Sequence, residues 1–239
     1  MFYTDIHCHM LSGVDDGAQN ADEMFAMLDM AYQAGTRRIC LTPHCQPSLF
    51  GDNALLACAS FEKLRMHAAE HFPDVELGLA SELGYYSDWR CALEEGRCRL
   101  IGDRYLLTDF LPSVSLFAMR YAVDDMLSAG ISLILAHVDR YEALYGQYDL
   151  LRDWTRRGVL LQINASAVTA KHGLKHRSHI RKLFMKCPIA AVASDGHRTE
   201  KRLPVLNQAE EVLASRYGAD AALFWLSTAP SLIFEGKKL

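Results

Sequence analysis

His7 and His9 flank Cys8 at the end of a short apolar run, Met1 to Ile6, with the pattern of a buried strand. Side chains alternate along a strand, so the two imidazoles share one face and the Cys8 thiol takes the other. Two imidazoles side by side can hold one metal ion. Asp15 and Asp16 follow a Gly13 turn and offer oxygen ligands close by. Alone the pair is weak, since histidines also fill cores as hydrogen-bonded residues. The rest of the chain supplies more of the same chemistry: His44, Glu82, Asp109, His137, Asp195 and His197 each follow or close an apolar β-type run. Imidazoles mixed with carboxylates, with no thiolate needed, suit Mn²⁺, Fe²⁺ or Zn²⁺. With His7, His9 and Asp16 they make nine candidate ligands, too many for one ion, so a cluster of two or three is expected, with a carboxylate bridging two of them.

Such convergence needs a scaffold that gathers strand ends. Strands are expected over 2–6, 38–42, 75–81, 105–110, 131–136, 159–164 and 189–193. Helices are expected near 20–34, 53–71, 88–95, 116–129, 148–157, 175–186 and 205–217. Asn20 or Asp22 would cap the first helix and Gly35 end it, with Gly130 and Gly158 ending later ones. Continuously apolar strands separated by helices imply an α/β fold with a covered parallel sheet. About seven repeats favour a distorted TIM-like barrel, whose C-terminal strand ends meet on one face. An open doubly wound sheet is the competing arrangement. No linker or repeat divides residues 1–239, so one domain is expected.

The net charge of −4, with basic residues concentrated only at 171–177 and in the tail Lys237-Lys238, argues against a broad nucleic-acid-binding face. Seven cysteines, an odd number without Cys-x-x-Cys spacing, fit reduced thiols better than a disulfide framework. No secretory signal and no run of spanning length is evident. The expectation is a soluble, cytoplasmic protein without membrane insertion.

The motifs resemble those of the polymerase-and-histidinol-phosphatase (PHP) superfamily, and within it the metal-dependent bacterial tyrosine-phosphatase branch associated with capsule and exopolysaccharide synthesis. The resemblance rests on Asp-Ile-His-Cys-His (5–9), Val-Asp-Asp-Gly (14–17), Thr-Pro-His (42–44), Ser-Glu-Leu-Gly-Tyr-Tyr (81–86) and Tyr-Leu-Leu-Thr-Asp-Phe (105–110). Ala-His-Val-Asp-Arg-Tyr (136–141), Gln-Ile-Asn-Ala-Ser (162–166) and Ser-Asp-Gly-His (194–197) complete it. It implies a single PHP-type catalytic domain and three metal sites. His7, His9, Glu82 and Asp195 would form the first, and Glu82 would bridge to a second with Asp109 and His137. Asp16, His44 and His197 would form the third. The family usually has Glu where this chain has Asp109, one methylene shorter, which puts the second site in question. The resemblance also assigns Arg140 and Arg202 to the substrate phosphate, a role suited to planar guanidinium groups.

The reaction so implied is phosphomonoester hydrolysis by metal-held hydroxide, most naturally on phosphotyrosine of an autophosphorylated bacterial tyrosine kinase, with manganese the expected metal. Histidinol phosphate or another small ester is the rival substrate, and a non-catalytic regulatory module on the same fold is the rival class. An amidohydrolase-type barrel shares the His-x-His start but often carries a carbamylated lysine on a central strand, and no expected strand here ends in lysine. Two Cys-x₅-Arg spacings, Cys91 with Arg97 and Cys98 with Arg104, raise cysteine-phosphatase chemistry. Glu94 and Glu95 inside the first would repel both thiolate and phosphate. The second leads into a strand, not a helix N-terminus.

Overall fold

The computed structural model describes residues 2–86, 88–170 and 173–239. Met1 of the opening run, and Lys171 and His172 of the basic stretch, lie outside the described residues. The strands are β1 (Tyr3–Cys8), β2 (Thr36–Leu41), β3 (His44–Cys45), β4 (Glu76–Leu79), β5 (Glu82–Gly84), β6 (Tyr105–Asp109), β7 (Ser132–Leu135), β8 (Leu160–Asn164) and β9 (Ile189–Ala193). Every strand ladder is parallel, in the orders β1-β2-β4 and β3-β5-β6-β7-β8-β9.

The expected strands 38–42 and 75–81 end early, at Leu41 and Leu79, and each is followed by a short strand that was not expected, β3 and β5. Pro43 lacks an N–H and interrupts the first. In the second, Ala80 N–H still bonds Leu41 O (2.8 Å), but Ser81 N–H turns away to Arg99 O (3.1 Å). Beyond these breaks β3 pairs with β5, setting His44 opposite Glu82. β9 and β1 meet at their C-terminal ends through a single parallel bridge, Cys8 to Gly196. Asp195 N–H donates to His7 O (2.9 Å) and His9 N–H to Gly196 O (2.8 Å) at the same seam. The buried Asp5 carboxylate secures it from behind by accepting Ser194 N–H (3.0 Å).

Alternation along the strands separates an inner core from two outer ones, one of which packs Ile39 and Leu41 onto Met24, Leu28 and Leu64. Ile6, Cys40, Leu107, Ile134 and Ala191 share an inner cluster. Leu106, Leu133, Leu135, Leu161 and Val192 face outward onto helix residues such as Met119, Val123, Leu151 and Leu183. A one-residue slip would exchange these faces, so register is firmly fixed and with it the aim of each strand-end side chain. Helix Ala21–Gln33 starts at Asn20, not Asp22: the Asn20 side chain accepts Glu23 N–H at 2.9 Å.

One feature escapes the periodicity reading. Residues 219–234 run as Ala219–Leu223, a π-helical Phe224–Thr228, and Ala229–Phe234. No helix is expected beyond 217, yet helical backbone continues through Pro230, which stands in the first turn after the π-helical stretch. This segment lies against β1 and β9 and buries Leu226, Ala229 and Ile233.

Helices Tyr148–Arg156 and Leu174–Lys186 enclose His179, which is 2% exposed, stacked on Tyr145 with ring centroids 4.2 Å apart. Burial pushes its pKa down to about 4. The folded pKa lies below the unfolded value, so this contribution to stability is complete above about pH 6.5 and is lost as pH falls toward 4, at most ~3 kcal/mol in all. Chelator-treated wild type should therefore lose more urea resistance between pH 7 and pH 4.5 than chelator-treated His179→Gln. Parallel pH profiles would refute it.

Candidate metal centre

The C-terminal ends of the longer strands, the starts of β3 and β5, and the loops beyond them bring all nine expected ligands into one cluster. Glu82, the first residue of β5 and 1% exposed, is its hub. Its Oε1 lies 2.9 Å from His137 Nε2 and 3.2 Å from His7 Nε2. Its Oε2 lies 3.2 Å from His9 Nε2 and 3.0 Å from His44 Nδ1. Asp195 Oδ1 stands 3.5 Å from His7 Nε2 and 3.7 Å from His9 Nε2. On one side, Asp109 Oδ1 is 3.6 Å from His137 Nε2. On the other, Asp16 Oδ1 is 3.5 Å from His44 Nε2 and 3.3 Å from His197 Nε2. His44 thus faces Asp16 with one nitrogen and Glu82 with the other.

The ring orientations are set from behind. His7 Nδ1 lies 3.2 Å from Gln162 Oε1, which also accepts His137 N–H at 2.7 Å. His9 Nδ1 is 2.8 Å from Asp15 Oδ2, and His197 Nδ1 is 2.9 Å from Asp195 O. With each Nδ1 donating to these oxygens, each Nε2 turns a lone pair inward. Gln162 in turn donates to Asn164 Oδ1 (2.9 Å), and Asn164 Nδ2 to Asp195 Oδ2 (2.6 Å). Tyr141 O–H donates to Asp109 Oδ1 (2.9 Å), steadying the shorter carboxylate.

Asp15, read beside Asp16 as an oxygen donor near the pair, instead faces the back of the cluster. Besides His9 it accepts His44 N–H (2.9 Å) and Gly17 N–H (2.9 Å). Gly17 presses on the His9 backbone so closely that a Cβ there would fall 1.8 Å from His9 O. Asp15→Ala should therefore release the His9 ring and weaken metal retention about 10- to 100-fold in a chelator competition. Retention equal to wild type would show that His9 is held by packing alone. Gln162 and Asn164 carried a readable signal: two amides in the buried strand Leu160–Asn164 must have polar partners. Their partners are distant in sequence and not readable.

The backbone is bent to serve this cluster. Among the described residues, only Asp103, His137, Asp195 and Arg202 are non-glycine residues with positive φ, and the last three line the centre. Such conformations cost of order 1 kcal/mol each and collect at functional sites. Arg140 Nη1 lies 3.3 Å from Asp195 Oδ2, and Arg202 Nη2 lies 2.5 Å from Asp195 Oδ1. Both reach a cleft of about 120 Å³ lined also by Asp16, His44, Glu82, Asp109, His137 and Tyr141.

Electrostatics favours cations here. Burial alone would raise the Glu82 and Asp195 carboxyls, but the surrounding imidazoles, with Arg202 for Asp195, hold both below the ordinary range. Burial pushes His197 down to about 4 and also lowers His44, so both rings stay neutral and able to ligate. His7 Nε2 and His9 Nε2 converge to 3.1 Å, beside the Glu82 and Asp195 oxygens. A proton or a cation between these two nitrogens relieves their lone-pair repulsion, and the Asp15 and Glu82 carboxylates outweigh burial to raise the His9 pKa, so the pair draws positive charge. The donors fall into four overlapping groups whose atoms lie within 4.8 Å of one another: His9, Asp16, His44 and His197; His7, His9 and Asp195; His7, Glu82 and His137; and His44, Glu82 and Asp109. The set fits a cluster of divalent ions.

Neither Cys-x₅-Arg spacing forms a competing centre. Cys91 is exposed, and its hydrogen bond to Glu95 raises its pKa. Cys98 is buried, and its contact with Cys45 together with burial pushes its thiol up. All seven cysteines are free. Among the described residues no helix is long and apolar enough to cross a membrane.

Residues 3–235 match the family model described as capsular polysaccharide synthesis, CpsB/CapC. The chain is 30% identical over 224 residues to the tyrosine-protein phosphatase CpsB of Streptococcus pneumoniae, covering 91% of this chain and 92% of that one. It is 24% identical over 231 residues to the tyrosine-protein phosphatase YwqE of Bacillus subtilis, covering 96% and 91%. The fold matches a crystal structure from work on YwqE and CpsB as metal-dependent tyrosine phosphatases, with a TM-score of 0.85 at 23% identity over 99% of this chain and 96% of that one. It also resembles the phosphotriesterase homology protein of Escherichia coli, crystallised with phosphate in its active site, with a TM-score of 0.61 at 13% identity over 98% of each chain.

Proposed function

We propose, from the premise that this chain belongs to the CpsB/CapC family of capsular polysaccharide synthesis, that it is a metal-dependent protein-tyrosine phosphatase acting as one catalytic domain over residues 1–239. The observation that carries the reading is the buried meeting of His7, His9, His44 and His137 on the two oxygens of Glu82, with two arginines at the mouth. His7, His9, Glu82 and Asp195 would hold one ion, Glu82, Asp109 and His137 a second, and Asp16, His44 and His197 a third. Manganese is our first choice, with iron or zinc as alternatives. The ions, when bound, lower the pKa of water toward neutrality and offset phosphoryl charge.

The protein's own groups supply position and charge. Four ligand carboxylates, Asp16, Glu82, Asp109 and Asp195, face the site against two guanidinium groups, so without the ions a phosphate dianion would be repelled. Arg140 and Arg202 can each offer paired N–H donors to equatorial phosphate oxygens while staying beside Asp195. A phenolate is a good leaving group, and no side chain is assigned as general acid. We assign as substrate a phosphotyrosine protein, an autophosphorylated bacterial tyrosine kinase of capsule or exopolysaccharide synthesis, met in the cytoplasm.

Phosphate release from a phosphotyrosine peptide and from histidinol phosphate, each with and without chelator, tests the proposal. The expected result is preference for the peptide and loss of both activities on metal removal. Preference for histidinol phosphate would replace the substrate assignment. Full activity after complete metal removal would refute the metal assignment, and no turnover of either ester by metal-loaded protein would favour a regulatory module.

A further inference from the structure

Beside the polar cleft lies a second cavity of about 400 Å³, lined by Gln46, Tyr85, Phe110, Leu111, Phe117 and Tyr121 among others. The two share Asp109 and Phe110, so the wall that ends the candidate metal centre begins the apolar groove. Its outer rim is unusually bare for so apolar a surface: Leu111 is 60% exposed, Phe117 81% and Tyr121 65%. The Leu116–Ser128 helix buries Met119, Ala122, Val123 and Met126 on its opposite side, so Phe117 and Tyr121 contribute nothing to the core. Phe117 and Tyr121 stand one turn apart, and with Leu111 they form an apolar patch where a solvent-facing helix ordinarily carries charge.

We infer that this groove receives an apolar or aromatic side chain flanking the phosphotyrosine, making Leu111, Phe117 and Tyr121 determinants of peptide specificity. The inference rests on the phosphatase reading above. Continuity identifies the occupant. A phosphate held by Arg140 and Arg202 places its ester chain at the cleft mouth, and Phe110 there opens directly into the groove. The groove is roughly three times the volume of the polar cleft, with room for more than the tyrosine ring. It carries a single ionisable carboxylate, Asp109, at the shared wall, so it selects by apolar burial and not by charge.

The test compares kcat/KM for two phosphotyrosine peptides, identical except for leucine or serine on both sides of the phosphotyrosine, with phenyl phosphate as a third substrate. Wild type should prefer the leucine peptide about tenfold, the scale expected for burying an apolar side chain. Phe117→Ser should reduce that ratio to about threefold or less, chiefly through KM. Leu111→Ser, on a different segment, should do the same and covers the case in which the first variant fails to fold. Equal use of the two peptides by wild type, with phenyl phosphate turned over, overturns the inference and leaves the phosphatase reading intact. So does a ratio that survives both substitutions. If Phe117→Ser instead converts a sedimenting dimer to monomer and leaves the ratio unchanged, the groove seats a second copy and the inference is wrong. Failure to hydrolyse any of the three esters refutes the phosphatase reading, and the inference falls with it.

Discussion

Glu82→Gln is expected to reduce turnover of a phosphotyrosine peptide at least about 10³-fold and to strip at least one metal ion from the purified protein. The substitution keeps the shape of the side chain, so the fold has little reason to change, and the loss falls on charge and coordination. Both carboxylate oxygens of Glu82 are occupied by imidazoles, at 2.9 to 3.2 Å on four sides. An amide can offer only one oxygen, and its N–H₂ would donate to the ring nitrogens it faces, taking the lone pairs an ion would need. Among the described residues the carboxylate is also the one buried negative charge in ion-pair range of both His7 and His137, and hence of both groups of donors assigned to the first two ions. Metal analysis, far-UV circular dichroism and single-turnover kinetics on the same preparation check the expectation. Turnover within tenfold of wild type, or full metal content, would remove Glu82 from the centre of the mechanism.

The legibility of this centre in the sequence follows from how it is built. Every proposed ligand but Asp16 stands at or just beyond the end of an apolar run, so parallel strands must collect them on one face, and that logic needs no long-range information. Seven strands were readable for the same reason. The divisions at Pro43 and Ser81 were not, because the Ser81 amide leaves its ladder for Arg99, a partner with no local signature. The same limit hides the supporting layer. Asp15 and Asp16 are adjacent carboxylates in a turn, alike by composition, yet one faces the donors and the other braces His9 from behind. The Gln162 amide reaches His7 across 155 positions of sequence. The terminal helices were not expected at all: the helical reading ends at 217, and Gly218 with Pro230 gives 219–234 no uninterrupted helical pattern.

Arg140→Ala is expected to lower kcat/KM about 10²- to 10³-fold while leaving metal content at the wild-type level. Asp195 is the reason for expecting the two readouts to separate. Its oxygens are already held by Asn164 Nδ2 at 2.6 Å and Arg202 Nη2 at 2.5 Å, and Arg140 adds only a 3.3 Å contact. Arg140 is also 41% exposed, so its guanidinium can turn to an incoming phosphate without disturbing the carboxylate. Arg202 has less freedom. It sits at φ 54° and its carbonyl accepts His197 N–H at 2.8 Å, tying it to the donor loop. Arg202→Ala should therefore cost metal retention as well as turnover. Arg140→Lys separates charge from shape: a lysine restores the positive charge but not the paired planar donors, and recovery of less than tenfold is expected. Full recovery would mean that Arg140 acts as a point charge, and loss of metal in Arg140→Ala would mean that it braces Asp195 instead of gripping phosphate.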